Sequence, residues 1–232
     1  MPRPICLITG VGPGTVTAIA RRFSEKYDVA MLARNRDRLA NLRNENKNLY
    51  PYQCDVSDPE ALIKTIDSVG KELGNPSVVI HNAVGGAFGN FLEVDLSVLE
   101  HNFQVNTMAL MQLGQLIAPN MIENGNGAII CTGNTSAYRG KAGFSGFAPT
   151  KAAQRILAES MARYLGPKGI HVAYVAIDAV IDLEWTRKRN PDAPDDYFCK
   201  PDDIAGEVWH LAHQPKSAWS FDTQIRPFGE NW

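Results

Sequence analysis

Short apolar runs alternate with longer amphipathic stretches along this chain, and the alternation limits the folds that it can adopt. Residues 5–8, 29–33 and 78–80 form apolar runs with the length of β-strands. Between them, residues 16–27 and 58–73 place their apolar side chains at helical spacing. Repeated alternation of this kind is typical of βαβ units, in which helices cover both faces of a parallel sheet. The sequence therefore predicts an α/β protein with a doubly wound parallel sheet in three layers.

The same alternation continues through the second half of the chain. Further strands are predicted at 49–54, 128–132, 171–177 and 223–226, and further helices at 36–45, 97–123, 148–165 and 201–213. No internal repeat, low-complexity tract or linker interrupts the series, so we expect a single domain over residues 1–232. The polar stretch 182–200 is the exception. Long irregular segments in compact domains are usually functional, and we expect this one to be a substrate loop.

The charge balance and the apolar runs exclude several classes of protein. The chain has 23 Lys and Arg against 25 Asp and Glu, a formal net charge of −2. This balance excludes a strongly basic nucleic-acid-binding protein. The longest apolar runs have the length of strands, so we expect no membrane span. The first ten residues lead straight into a strand without a signal-peptide pattern, which predicts a cytoplasmic protein.

The cysteines and histidines form no pattern of metal ligands. Four cysteines lie far apart without a CxxC pair, which favours buried reduced thiols over disulfides or zinc. His210 and His213 are three residues apart on a predicted helix, but nothing in the sequence supplies a third ligand. We expect no metal site.

A glycine-rich turn follows the first predicted strand and leads directly into the first predicted helix. It comprises Thr9, Gly10, Gly12 and Gly14. Glycines in this context let the backbone approach a pyrophosphate, whose charge is met by N–H groups at the helix N-terminus. A merely permissive loop is the alternative. We favour a dinucleotide site, and with it a Rossmann-type fold.

The end of the second strand bears on which dinucleotide binds. An NAD site usually has a carboxylate there for the ribose hydroxyls, but this chain has Arg34. A guanidinium group suits a 2′-phosphate, which favours NADP(H) over NAD(H). The alternative is that Arg34 is only a solvated residue before a helix, in which case NAD(H) would also be accepted.

The motifs together resemble those of the short-chain dehydrogenase/reductase family over nearly the whole chain. The matching pieces are Thr9-Gly10-x-x-x-Gly14, Asp55-Val56, Asn82-Ala83, Asn106 and Lys151. The resemblance implies that Asp55 and Val56 contact the adenine and that Asn82 and Ala83 line the cofactor near its ribose. It further implies that Asn106 holds a water in a proton relay. Lys151 would bind the nicotinamide ribose and lower the pKa of a tyrosine four residues earlier.

The resemblance fails at that tyrosine, because Phe147 occupies the position. Reduction of a carbonyl needs a proton donor, and a phenyl ring has none. The serine that polarises the carbonyl in this family is replaced by Asn134, whose amide can still donate a hydrogen bond. Thr132, Thr135 and Ser136 compete for that role.

Tyr138 lies in the loop after the fifth predicted strand and is the candidate substitute for the missing acid. A packed or partly exposed loop aromatic is the alternative interpretation of this residue, and the one that we favour. Asn106, Asn134 and Lys151 are the candidate catalytic residues, with the proton donor unassigned. Without its tyrosine partner, Lys151 has an alternative interpretation, which we favour, as a residue that only binds the ribose.

Two functions follow from these observations. The first is an oxidoreductase that transfers a hydride between NADP(H) and a small carbonyl or alcohol through an atypical active site. The second is a catalytically impaired dinucleotide-binding or assembly protein that retains the fold. By resemblance, we also expect a homodimer or homotetramer formed through the helices predicted at 97–123 and 148–165.

Overall fold

A seven-stranded parallel sheet forms the centre of the protein in a computed structural model that describes residues 2–229. Its strands are β1 (Ile5–Thr9), β2 (Asp28–Ala33), β3 (Leu49–Gln53), β4 (Val78–His81), β5 (Gly127–Gly133), β6 (Ile170–Ile177) and β9 (Asp222–Ile225). They lie in the order β3-β2-β1-β4-β5-β6-β9, and every neighbouring pair is parallel. The strand order reverses between β1 and β4, where proteins with such sheets bind their ligands.

Helices cover both faces of the sheet. They are α1 (Thr15–Ser24), α2 (Arg36–Glu45), α3 (Pro59–Glu72), α4 (Leu96–Phe103), α5 (Ala109–Asn124), α6 (Ala148–Leu165), α7 (Glu184–Arg189) and α8 (Pro201–Ala212). One core joins α1, α2 and α8 to the sheet, and a second core joins α3, α5 and α6 to its other face. The predicted doubly wound, three-layer α/β fold is therefore confirmed.

The apolar runs that predicted the strands follow from this burial on two sides. Side chains along a strand point alternately to opposite faces. In β1, Cys6 and Ile8 pack into the first core, whereas Ile5 and Leu7 pack into the second. Both faces of the strand are therefore apolar, and the run is continuous rather than alternating.

The helix predicted at 97–123 contains an irregularity that the sequence does not indicate. A π-helical turn, Gln104–Met108, separates α4 from α5. It buries Val105 and Asn106. Single π-helical turns within helices are often found at functional sites.

The stretch 182–200 is more regular than its composition predicts. It contains α7 and the short strand β8 (Phe198–Cys199), which pairs in parallel with β7 (Val180–Ile181). The Arg187 guanidinium donates to the Asp182 and Asp195 carboxylates at 2.7–2.8 Å and lies over the Phe198 ring. The charged residues of 182–200, which led to the prediction of a loop, thus form the ion pairs that hold this stretch together.

Within residues 2–229, no helix combines the length and the apolar character needed to cross a membrane. All four cysteines are buried free thiols. His, Cys, Asp and Glu side chains form no group of three or more that could hold a metal ion in this part of the chain.

Candidate dinucleotide cleft and active site

Two adjoining cavities lie at the carboxyl ends of the strands, at the point where the strand order reverses. The outer cavity, of about 490 Å³, is lined by Arg34, Asp55 and Ala83 among others. The inner cavity, of about 360 Å³, is lined by Asn134 and Lys151 among others. Gly10, Gly12 and Val84 line both cavities. The two cavities therefore form one cleft with the glycine-rich turn at its middle.

The glycine-rich turn has the geometry of a backbone cradle. Gly10 has a φ of +73°, and a Cβ atom on it would lie 2.6 Å from the backbone nitrogen of Ala83. Gly14 has a φ of +86°, and its Cβ atom would overlap a methyl group of Leu183. Gly14 precedes α1 without a side-chain cap, and the first turn of α1 contains no acidic residue. The helix N-terminus is thus open to an anion, and the residues present fit a pyrophosphate.

Thr9 does not line the cleft, although the sequence assigns it to the cofactor. It is fully buried, and its hydroxyl group lies 2.9 Å from Nδ1 of His81 and accepts a bond from the backbone N–H of Ala83. As the last residue of β1, it ties this strand to the end of β4. Thr9 therefore supports the turn from behind, without contact to a ligand in the cleft.

Two uncommitted guanidinium groups border the outer cavity. Arg34 is exposed at the end of β2, and Arg38 lies one turn further along the chain in α2. Neither forms an ion pair with any of the described residues. Burial opposes ionisation of Asp55 at the floor of this cavity, but hydrogen bonds from Ser57 and the charge of Arg34 lower its pKa. The outer cavity is thus positively charged at its rim and has a carboxylate on its floor.

The remaining residues assigned to the cofactor divide between the two cavities. Val56 and Ala83 line the outer cavity, and Asn82 lines the inner one. The Asn82 side-chain oxygen accepts a hydrogen bond from the Thr132 hydroxyl. Because the Thr132 hydroxyl already donates to Asn82, we do not assign Thr132 to polarisation of a carbonyl.

Lys151 is the only charged residue that lines the inner cavity in the described part of the chain. Its ammonium group donates to the backbone oxygen of Thr132 at 3.2 Å and to the Gln154 side-chain oxygen. Burial lowers the pKa of Lys151 to about 8, and the neighbouring Cys131 acts in the opposite direction. The amine is therefore readily converted between its charged and neutral forms near neutral pH.

The environment of Asn106 differs from the predicted relay. Its side-chain amide donates to the Gly85 backbone oxygen and to the Thr150 hydroxyl, each at 2.8 Å, and accepts from the Gly85 N–H. Its backbone oxygen, within the π-helical turn, accepts a bond from the Gln154 side chain at 2.7 Å. Gln154 thus bridges Lys151 and the backbone of Asn106.

Asn134 and Phe147 line the inner cavity opposite the glycine-rich turn. The Asn134 side-chain oxygen accepts a bond from Ser136 N–H at 3.1 Å, while its NH₂ group has no partner among the described residues. That group is available to donate to a carbonyl oxygen. Phe147 is 5% exposed and packs against Phe88 and Phe144.

Tyr138 faces away from this cavity. It borders a separate groove, and its hydroxyl donates to the Asp222 carboxylate while Arg155 lies over its ring. Burial and that carboxylate raise the pKa of Tyr138 to about 12. These contacts favour the interpretation of Tyr138 as a packed loop aromatic. The Thr135 hydroxyl likewise points elsewhere, to Asp178 at 2.8 Å, and Ser136 borders the groove of Tyr138.

Sequence reasoning missed Gln154 and Arg38. Gln154 lies three residues after Lys151 on the buried side of α6, a spacing at which side chains share a helix face. Arg38 follows Arg34 by four residues across the start of α2. In both cases the sequence places a polar residue one helical turn after a residue already assigned to the site, Lys151 or Arg34.

Comparison with known proteins agrees with this geometry. Residues 4–193 match the family model described as short chain dehydrogenase. The 7alpha-hydroxysteroid dehydrogenase of Escherichia coli K12 is 27% identical over 226 residues, covering 92% of this chain and 88% of that protein. Carbonyl reductase (NADPH) 2 of Sus scrofa is 29% identical over 217 residues, covering 88% and 87% respectively. A crystal structure of a short-chain dehydrogenase from Rhodopseudomonas palustris has a TM-score of 0.82 and 30% identity, covering 98% of this chain and 100% of that one.

Proposed function

The chain belongs to the short-chain dehydrogenase/reductase family of NAD(P)-binding oxidoreductases, and we propose that it transfers a hydride between NADP(H) and a small carbonyl or alcohol. The observation that carries this proposal is the cleft itself. It joins an open helix N-terminus to an inner cavity that is lined by both Lys151 and Asn134. These are groups that bind a dinucleotide and polarise a carbonyl.

The binding role is distributed along the cleft. We assign the adenine and its ribose to the outer cavity, at Asp55, Val56 and Ala83, and the pyrophosphate to the backbone of Gly10 and Gly12. Asn82 would hold the nicotinamide ribose in the inner cavity, which Lys151 also lines. Gly14 leaves the N-terminus of α1 uncapped and available to the pyrophosphate, and it packs against the methyl groups of Leu183.

The chemical role falls on the inner cavity. When bound, the reduced nicotinamide supplies a hydride to a carbonyl carbon, and the oxidised form accepts one from an alcohol. Asn134 donates a hydrogen bond to the carbonyl oxygen, where negative charge develops as the hydride arrives. Phe147 and the apolar side chains of Ile181 and Leu183 exclude water from that oxygen. Asn106 acts through structure, because its amide fixes Gly85 and Thr150.

We assign the preference for NADP(H) to Arg34, assisted by Arg38. Both guanidinium groups border the outer cavity without an ion pair in residues 2–229, and both can reach a 2′-phosphate. The name of the Sus scrofa relative, a carbonyl reductase (NADPH), supports this choice. NAD(H) is the alternative coenzyme.

Two measurements test the proposal in sequence. Fluorescence titration should give a dissociation constant below the millimolar range for NADPH and a weaker one for NADH. The bound enzyme should then oxidise NADPH in the presence of aldehydes or diketones, and the stretch 182–200, with Leu183 on the cleft, should govern which ones. Failure of both dinucleotides to bind would contradict the proposal.

A second function is favoured by Phe147 itself. With no hydroxyl at this position and Gln154 between Lys151 and Asn106, the protein would bind a dinucleotide without reducing carbonyls. Tight binding of NADPH with no turnover across a broad carbonyl panel would support this second function over the first.

We further propose a homodimer or homotetramer. Large apolar side chains are exposed along α6 and around the start of α5, including Met108, Met111, Ile156 and Tyr164. Association through these helices would cover them. Sedimentation equilibrium should give twice or four times the chain mass of 25.5 kDa. Four buried free thiols support the proposal of a cytoplasmic location.

A further inference from the structure

We propose that Lys151 itself donates the proton to the carbonyl oxygen, and that Gln154 positions its ammonium group for this transfer. The inference rests on the proposed reductase function. It assigns the donor that the absence of a tyrosine leaves open, and it gives Gln154 a role in the reaction.

The hydrogen bonds of Lys151 leave one donor for a ligand. An ammonium group has three N–H donors. Two point into the protein, to the backbone oxygen of Thr132 and to the side-chain oxygen of Gln154. The third has no partner among the described residues, and Lys151 lines the inner cavity together with Asn134. That third hydrogen is therefore available to a carbonyl oxygen, directly or through one water.

Because Phe147 has no hydroxyl group, it does not compete with Lys151 for a carbonyl oxygen in the inner cavity. It lies one helical turn before Lys151 and borders the same cavity, but its ring ends in a carbon instead of a hydroxyl group. The packing of Phe147 against Phe88 and Phe144 holds the ring in place at the rim.

The groups around Lys151 favour release of its proton, because none of them carries a negative charge that would stabilise the ammonium form. His81 of β4 faces Lys151. Burial and the charge of the lysine lower the pKa of His81 to about 4. Cys131 of β5 also faces Lys151, and burial raises the pKa of this thiol to about 12. Gln154 of α6 and the backbone oxygen of Thr132 complete the contacts. All of these groups are neutral at pH 7, so nothing pairs with the ammonium ion to retain its proton.

Gln154 fixes the amine without adding charge. It is fully buried, accepts from Lys151 and donates to the backbone oxygen of Asn106 at 2.7 Å. A carboxylate at the same place would stabilise the ammonium form and raise the pKa of the lysine. An amide holds the same geometry and leaves the proton transferable. Gln154 is thus a positioning residue for Lys151.

The proposed step is balanced. The carbonyl carbon receives a hydride from the reduced nicotinamide dinucleotide, which is oxidised as the carbonyl is reduced. As the C=O π bond breaks, its electron pair takes the proton from Lys151 Nζ, so an O–H bond forms and an N–H bond breaks. The neutral amine is reprotonated by solvent through the open cleft.

The first test compares the enzyme with Gln154→Glu. NADPH-dependent reduction of a diketone is measured against pH, and the lysine is titrated separately by NMR in protein labelled with ¹³Cε-lysine and free of cofactor. The Lys151 signal is identified by its loss in Lys151→Met. We expect kcat/KM to fall as this lysine loses its proton. In Gln154→Glu, both the NMR titration and the fall in kcat/KM should move upward by about one pH unit or more.

A second variant keeps the test valid if the buried glutamate prevents folding. Lys151→Arg retains the positive charge but releases its proton only at very high pH. We expect it to bind NADPH within a few-fold of the unmodified protein and to lose at least about 100-fold in kcat. Retention of kcat in this variant, or a pH profile that does not follow the lysine titration, would overturn the inference alone. Absence of any carbonyl reduction in the unmodified protein would overturn the proposed function together with it.

Discussion

The two cavities of the cleft differ in how they carry out their roles. The outer cavity relies on backbone geometry and on several charged groups, with Gly10 against Ala83 and with Arg34 and Arg38 at the rim. The inner cavity depends on single atoms, the Nζ of Lys151 and the NH₂ group of Asn134. The loss of one hydroxyl group at Phe147 therefore leaves the outer cavity intact and changes the chemistry of the inner one. We therefore expect binding and proton transfer to be separable in this protein.

The largest effect on the outer cavity is expected from Gly10→Ala. The alanine would need a left-handed conformation, and its Cβ would press on the Ala83 backbone, at a combined loss of about 3 kcal/mol in the free energy of unfolding. We expect NADPH binding to be lost as well. Chemical denaturation and fluorescence titration measure the two effects. Gly140→Ala is the control, since nothing lies within 4 Å of its Cβ position. Normal binding by Gly10→Ala would disprove the role assigned to the turn.

The inner cavity is tested by Phe147→Tyr. The new hydroxyl group would lie beside Lys151 and supply a second acid, so we expect kcat for carbonyl reduction to rise about tenfold or more. The dissociation constant for NADPH should stay within about threefold. Phe144→Tyr is the matched control, because Phe144 packs against Phe147 but borders the separate groove of Tyr138. A change in binding without a change in kcat would show that the two cavities are not separable.

Removing one charge from the rim should have a smaller effect. Arg34→Ala should weaken NADPH binding about tenfold and leave NADH binding unchanged, because only NADPH carries the 2′-phosphate. Arg36→Ala provides a control at an exposed neighbouring arginine outside the cavity lining. Titrations with both coenzymes measure the effect. Equal losses for the two coenzymes would remove the argument for NADP(H).

The contribution of Lys151 to stability depends on pH. Burial lowers its pKa from 10.5 to about 8 in the folded protein. The unfolded chain therefore binds more protons than the folded one between these values, and stability rises with pH in that window by up to about 1.4 kcal/mol per pH unit. Denaturation of the unmodified protein and of Lys151→Met from pH 7.5 to 10.5 should show this slope only in the former. Parallel curves would mean that the lysine titrates normally.

The sequence predicted the parts of the site that depend on order along the chain. Gly10, Asp55 and Asn82 follow strands β1, β3 and β4, and parallel strands bring their carboxyl ends to one edge of the sheet. The sequence assigns Thr9 to the cofactor, but it does not indicate that the buried hydroxyl of Thr9 meets His81.

Contacts between residues far apart in sequence could not be predicted in this way. Tyr138 is held by Asp222, 84 residues later, which no local pattern indicates. The bridge from Lys151 through Gln154 to Asn106 depends on the π-helical turn that brings the Asn106 oxygen within 2.7 Å of Gln154.

A single-turnover experiment addresses both cavities at once. The protein is saturated with NADPH, mixed with a diketone in a stopped-flow instrument, and followed by the absorbance of the reduced nicotinamide over a range of pH. We predict complete oxidation of the bound NADPH, at a rate that falls as pH rises through the titration of Lys151. Bound NADPH that is never oxidised would contradict a reductase that works without the tyrosine hydroxyl.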